Sequence, residues 1–235
     1  MNIPSLEAMM QAGVHFGHRT SKWHPKMKPY IYTERNGVHV INLEETVKFL
    51  EPALEFVKKI VRDGGLILFL GTKKQARTLI KEAAESCKMP YVINRWLGGT
   101  LTNSSTILSL VKKLRKLKAD RDSGELLKYT KKEQLEFARE IERLDRLVGG
   151  MEMLDKVPNA MFIVDIRDEK TAVAETITKK IPTVALCDTN VNPELVAYPI
   201  PSNDDATKAL KLMINLVAEA VKEAQAEMPA VETKK

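Results

Sequence analysis

The chain has 235 residues, 44% of them hydrophobic and 29% charged, with a net charge of +6. That length buries a full core with room for an insertion or a second domain, and the modest basic bias admits a polyanionic partner without requiring one. The two cysteines, Cys87 and Cys187, lack metal-motif spacing and are expected as reduced cytoplasmic thiols; Met1-Asn2-Ile3-Pro4 opens no export signal, and no apolar run is long enough for a membrane span.

Residues 6–12 are predicted as a short helix, with Ser5 as its cap and Gly13 as its stop. The next sixteen residues, His15 to Tyr30, hold four Lys or Arg, three histidines and no acid. Cations bind phosphate and flat rings stack on bases, so His18, Arg19, Lys22, Trp23, His24, Lys26 and Lys28 are candidate RNA ligands. A Pro-bounded surface loop whose rings pack locally is the other reading. Residues 30–35 and 38–43 flank Asn36-Gly37 as a hairpin, and 44–63 read as a helix that Pro52 would kink or split.

From residue 65 the pattern alternates between strands and helices. Apolar runs at 65–70, 91–93, 160–164 and 183–186, with a weaker one at 196–200, are separated by helical stretches that include 169–180 and 204–226. The expected fold is α/β, a parallel sheet with helices on both faces. Residues 104–155 interrupt it. Ile107, Leu110, Leu114 and Leu117, then Phe137, Ile141, Leu144, Val148 and Met151, step like heptad seams, and Thr130 to Glu133 has the form of a capping box. An antiparallel helical hairpin is expected to project from the body, its two seams closing on each other. Its first arm bears Lys112, Lys113, Arg115, Lys116 and Lys118 with no acid, a candidate polyanion contact. The chain thus divides into 1–103 and 156–226 as one α/β body, 104–155 as the insertion and 227–235 as a flexible tail.

Ligands of such a sheet bind beyond the carboxyl ends of its strands. There Gly71-Thr72-Lys73-Lys74 opens a helix and could hold one phosphate, making Lys73 and Lys74 candidates, although it lacks a dinucleotide or Walker pattern. In Asn94 to Asn103, Arg95 offers a planar fork and Asn103 a polar contact. Trp96 is either a stacking face or a plug between body and insertion. Asp188, Asp204 and Asp205 fall on two successive loops at one sheet edge. With His15 or His18 they could hold a divalent cation, zinc if imidazole joins and magnesium if it does not. Helix capping and an Asx turn are the alternative for these acids. No acid–base or nucleophilic constellation assembles, so no cofactor is required.

The motifs Leu6-Glu7-Ala8-Met9-Met10-Gln11-Ala12-Gly13-Val14-His15-Phe16-Gly17-His18, Trp23-His24-Pro25-Lys26-Met27, Phe69-Leu70-Gly71-Thr72-Lys73, Asn94-Arg95-Trp96-Leu97-Gly98-Gly99, Leu147-Val148-Gly149-Gly150-Met151, Pro158 to Asp165, Asp188-Thr189-Asn190 and Pro201-Ser202-Asn203-Asp204-Asp205 occur in one order. Together they resemble the bacterial form of the small-subunit ribosomal protein two family, collinearly over roughly residues 5 to 225. The resemblance implies a flavodoxin-like α/β domain with an inserted α-helical hairpin, lying on the solvent side of the small ribosomal subunit between head and body. It implies small-subunit rRNA and neighbouring ribosomal proteins as partners, among them the multi-OB-fold protein that gathers mRNA. It also implies a protein that is not a homo-oligomer, and no catalysis. The chain departs from the family in its short C-terminal extension and in Pro52. An α/β enzyme or binding protein for a phosphorylated small molecule at the carboxyl edge is the competing class.

Overall fold

The computed structural model describes residues 3–227. Helix α1 (Leu6–Ala12) begins where the Ser5 hydroxyl accepts the Ala8 N–H at 3.2 Å and ends at Gly13, whose φ of 79° favours a residue without a Cβ. Strands β1 (Phe16–Arg19), β2 (Ile31–Arg35) and β3 (Val38–Ile41) form an antiparallel sheet in the order β1-β3-β2. The β2–β3 turn is the expected Asn36-Gly37, with φ of 53° and 74°. β1 lies inside the segment read as a loop. Without branched residues it has no strand pattern of its own and owes its conformation to β3, a partner distant in sequence.

Helix α2 (Leu43–Arg62) starts at Asn42, whose side chain accepts the Glu44 N–H, and runs unbroken through Pro52. Pro52 sits on the exposed face, while Leu50, Ala53, Leu54 and Val57 on the other side hold the helix to the core. Packing of that face outweighs the one lost hydrogen bond, so the expected break is absent.

The main sheet comprises β4 (Ile67–Leu70), β5 (Tyr91–Val92), β6 (Ala160–Val164), β7 (Thr183–Cys187) and β8 (Tyr198–Pro201). All neighbours are parallel, in the order β5-β4-β6-β7-β8. Counted within this sheet the order is 2-1-3-4-5, a doubly wound arrangement that switches direction between β4 and β6. Alternate side chains go to opposite faces. Ile67, Phe69 and Phe162 join a core built with α2, α3 (Arg77–Ser86) and α7 (Thr207–Glu227). Leu68, Leu70, Met161 and Ile163 join a second core with α4 (Ser104–Asp122), α5 (Lys131–Val148) and α6 (Lys170–Lys179).

Helices α4 and α5 form as expected. The Thr130–Glu133 capping box is present, and the two helices pack together. Their apolar seams do not close only on each other, which corrects the expectation of a self-contained arm. Ile107, Val111 and Leu114 of α4 and Ile141, Leu144 and Val148 of α5 are buried in the same cluster as Leu68 and Leu70 of the sheet. Val111 takes the fully buried place that the heptad gave to Leu110, because α4 must turn a face to the sheet as well as to α5. The tail expected beyond Pro229 lies outside the described residues.

Candidate nucleic-acid interface and the carboxyl edge

Parallel strands deliver their following loops to one edge. After β4 comes Lys73, after β6 Asp165, after β7 Asp188, and after β8 Asp204 and Asp205. The Lys73 ammonium, 12% exposed, lies 2.8 Å from Asp165 Oδ2, 2.7 Å from Asp204 Oδ1 and 2.7 Å from Asp205 Oδ1. Burial opposes its charge, but the Asp204 charge and its bonds to all three acids prevail and hold it well above the usual lysine range. Lys73 therefore does not present a phosphate ligand, and the reason is enclosure by carboxylates. The Thr72 N–H and hydroxyl donate to Glu169 Oε1 at 3.2 and 2.5 Å, so this loop already carries an anion of its own chain.

The basic segment folds across that edge. The His18 N–H donates to Thr189 Oγ1 at 2.9 Å and the His24 N–H to the Thr189 carbonyl at 2.8 Å. Gly17 permits the approach, since a Cβ there would fall 2.6 Å from Thr189 Cγ2. The His18 ring then stands between two acids, Nδ1 3.0 Å from Asp188 Oδ2 and Nε2 3.5 Å from Asp205 Oδ2. Its pKa is raised by the hydrogen bond to Asp188 in spite of burial. Burial, reinforced by the Asp165 and Asp188 charges, pushes the Asp204 carboxyl up to about 8 against the pull of Lys73.

Of the expected metal candidates, the structure groups His18, Asp188 and Asp204, with one ligand atom from each within 4.8 Å of the others. Asp205 touches the far side of His18. His15 does not join. Its ring packs against Phe16, centroids 4.1 Å apart and tilted by 38°, and lines a cleft with Leu6 and Met10. Neither Asp204 nor Asp205 caps α7, because Asn203 Oδ1 accepts the Asp205 and Ala206 N–H groups there. Asp188 Oδ1 accepts the N–H of the next residue, Thr189, whereas the anticipated Asx turn bonds the N–H two residues on, so that turn is not what holds this loop.

The Asn94–Asn103 loop is organised by a residue outside every motif above. Glu175 of α6, buried at 7% exposure, accepts the Trp96 Nε1–H at 3.1 Å and the Gly99, Leu101 and Thr102 N–H groups at 2.8, 2.9 and 3.0 Å. Burial alone would raise its pKa, but these donors outweigh it and the carboxyl lies below the ordinary range. Trp96 is thereby the plug and not a stacking face, whereas Arg95 and Asn103 are exposed. The sequence signal for Glu175 is an acid beside Ala172, Val173 and Thr176 on the face that α6 buries.

The cationic arm is less free than its sequence. Lys113 pairs with Glu140 at 2.7 Å, Arg115 with Asp155 at 2.6 Å, and Lys118 with Asp145 and Glu152 at 2.6 and 2.5 Å. Lys112 and Lys116 are exposed with no direct partner among the described residues. In the basic segment Arg19, Lys22, Trp23 and Lys28 are exposed, Lys26 pairs with Glu194 at the surface, and His24 is half-buried. Lys74 is exposed beside the same edge.

A family model described as ribosomal protein S2 matches residues 9–224, a span that includes the carboxyl-edge cluster and the basic segment. The chain belongs to the ribosomal protein S2 family. It is a small-subunit ribosomal protein, a structural constituent of the translation machinery and not a member of an enzyme class. Among curated relatives, the small ribosomal subunit protein uS2 of Fusobacterium nucleatum is 46% identical over 224 residues, spanning 95% of this chain and 91% of the relative. That of Dehalococcoides mccartyi is 44% identical over 232 residues, spanning 99% and 95%. The matched span runs through α4 and α5 as well as the sheet. No helix among the described residues is long and apolar enough to cross a membrane.

Proposed function

We propose that this protein binds small-subunit rRNA through its basic N-terminal segment and the exposed cations beside it, and that its contribution to translation is architectural. The observation that carries this reading is the anchoring of residues 16–24 on the carboxyl edge by backbone bonds to Thr189, with Arg19, Lys22 and Trp23 left exposed. Cations on a fixed backbone hold phosphates in register at little ordering cost, and an exposed ring can stack on an unpaired base. Lys28, Lys74 and Arg95 extend the surface. Lys112 and Lys116 are the members of the helical arm that remain available, while Lys73 and Trp96 are set aside.

On this reading α4 and α5 act as an inserted coiled-coil arm rooted in the body. A neighbouring ribosomal protein of the multi-OB-fold, mRNA-gathering type docks nearby, and the chain works without forming a homo-oligomer. These finer assignments rest on the family resemblance. Against the enzyme alternative, the two loops that would receive a phosphorylated ligand each already hold a carboxylate, from Glu169 or Glu175.

The test is rRNA binding as a function of salt for the wild type and an Arg19→Gln, Lys22→Gln, Lys28→Gln variant. Each lost phosphate contact lowers the magnitude of the log–log slope by about 0.7–0.9, so the variant is expected to fall by roughly 2–3. An unchanged slope, together with a saturable thermal shift by a phosphorylated small molecule, would favour the enzyme class.

A further inference from the structure

The fourth histidine of the chain lies outside every cluster above. His39 is on β3, and both of its ring nitrogens are buried without a hydrogen-bond partner among the described residues. A neutral imidazole carries one donor and one acceptor, so both functions of this side chain stand unused. Buried polar atoms in that state are rare and costly in a native protein. The aromatic ring in contact with His39 is Trp23, with centroids 5.4 Å apart and planes tilted by 49°. Trp23 is 38% exposed, and its indole N–H donates to no described residue. The backbone on either side is fixed. The Thr20 N–H donates to the Gly37 carbonyl at 3.0 Å and the His24 N–H to the Thr189 carbonyl at 2.8 Å. The indole can therefore turn about its side-chain bonds while the chain that carries it stays in place.

We propose that Trp23 is a movable cover over His39, and that one unpaired rRNA nucleotide engages both side chains. Its base stacks on the turned indole, and the uncovered imidazole hydrogen-bonds the edge of that base. The inference deepens the RNA reading above and rests on it. In the free protein the covered nitrogens lower stability. In the complex they gain partners, so the base edge meets a need that the free state leaves open.

The surroundings favour a neutral ligand at His39 over a phosphate. In the β2–β3 register His39 is paired with Glu34, and directly opposite residues of an antiparallel pair share one face of the sheet. Glu34 is exposed, so an acid stands beside the imidazole and disfavours an anion there. The phosphate of the same nucleotide falls to a cation close by. Arg19 of β1 is paired with Val38, the residue before His39, and its side chain is exposed. Cation, ring and imidazole thus converge on one end of the small sheet. The site selects unpaired nucleotides, since a duplex keeps its base faces stacked and its pairing edges occupied.

The experiment compares the full-length wild type with His39→Phe, His39→Gln and Trp23→Ala, using small-subunit rRNA as the probe. His39→Phe keeps a ring beneath the indole and removes both unused nitrogens. Its melting temperature is expected to rise by about 2–4 °C while its rRNA affinity falls by about 10-fold. The log–log salt slope should stay at the wild-type value, because a neutral ligand displaces no counterion. His39→Gln, whose amide offers a donor and an acceptor, should recover part of the affinity. A side chain that only packs would not trade stability against affinity in this way. Labelling with diethyl pyrocarbonate, read by mass spectrometry, follows the cover itself. With the open state a minor population in the wild type, His39 should label at least about 10-fold faster in Trp23→Ala, and saturating rRNA should protect it. A His39→Phe protein that binds rRNA as the wild type does, or that melts at a lower temperature, overturns the proposal. So does labelling that Trp23→Ala leaves slow or that rRNA leaves fast. Failure of the RNA reading has a different signature, an Arg19, Lys22, Lys28 variant with the wild-type salt slope, and it would sink both.

Discussion

The loops at the carboxyl ends of β4 and β5 and the segment from His15 to Tyr30 both read as ligand-binding stretches, yet they end in opposite states. Each loop is filled from within by an acid of the α6 region, Glu169 just before the helix and Glu175 in its middle. Glu169 takes the Thr72 N–H and hydroxyl, and Glu175 takes the N–H groups of Gly99, Leu101 and Thr102. The segment, by contrast, spends its backbone on Thr189 and keeps several cationic side chains outside. One doubly wound sheet therefore closes the place where an enzyme of this architecture would bind its ligand and uses the closed edge as a mount. On the proposed reading, fold and function separate here through two buried glutamates and one lysine.

The contrast breaks most sharply at Lys73. Replacing it by Met removes the one ammonium among Asp165, Asp204 and Asp205, and the expected loss is about 3–5 kcal/mol of unfolding free energy, measured by urea denaturation in EDTA. RNA affinity of the folded fraction should be unchanged. A stable Lys73→Met protein with weakened RNA binding would return Lys73 to the interface.

Glu175 is the next point of attack. Glu175→Ala leaves the Trp96 indole N–H and three backbone N–H groups without their acceptor, an expected cost of about 3 kcal/mol, and Glu175→Gln should lose less. Its pKa is lower folded than unfolded, so the stabilisation is complete above the unfolded value of 4.5 and is lost as pH falls through the folded one. Wild type should therefore lose stability more steeply than Glu175→Gln on acidification below pH 4.5, while the two curves stay parallel above it. Coincident curves throughout would remove Glu175 from the acid limb.

Local chemistry made much of this legible. Ser5 and Gly13 bound α1, Asn36-Gly37 sets the β2–β3 turn, and unalternating apolar runs mark the parallel strands. What the sequence hides is whatever depends on a distant partner. β1 needs β3, Lys73 needs acids more than 90 residues away, and nothing near Trp96 announces Glu175. The helical insertion shows the same divide. Its helices are visible in the spacing of Ile107, Leu114, Ile141 and Leu144, but the burial of Val111 depends on the sheet. Leu114, fully buried in that shared core, should cost about 2–3 kcal/mol when cut to Ala, and it should lower the whole cooperative transition. A local loosening of α4 and α5 alone would restore the self-contained arm.

The smallest effect concerns the lysines of α4, where the contrast between committed and available cations recurs within one helix. Lys113 and Lys118 are held by Glu140, Asp145 and Glu152, while Lys112 and Lys116 have no direct partner among the described residues. An RNA phosphate must displace an acid to reach the first pair but only water to reach the second. Lys112→Gln with Lys116→Gln is expected to reduce the salt slope of rRNA binding by up to about 1.4–1.8, whereas Lys113→Gln with Lys118→Gln should reduce it by less than about 0.7, the value for one single-strand contact. The second variant should instead lose only a few tenths of a kcal/mol of stability, as exposed ion pairs do. Equal reductions from both variants would mean that the acids of α5 release their lysines on the ribosome, and the arm would then count as one continuous cationic face.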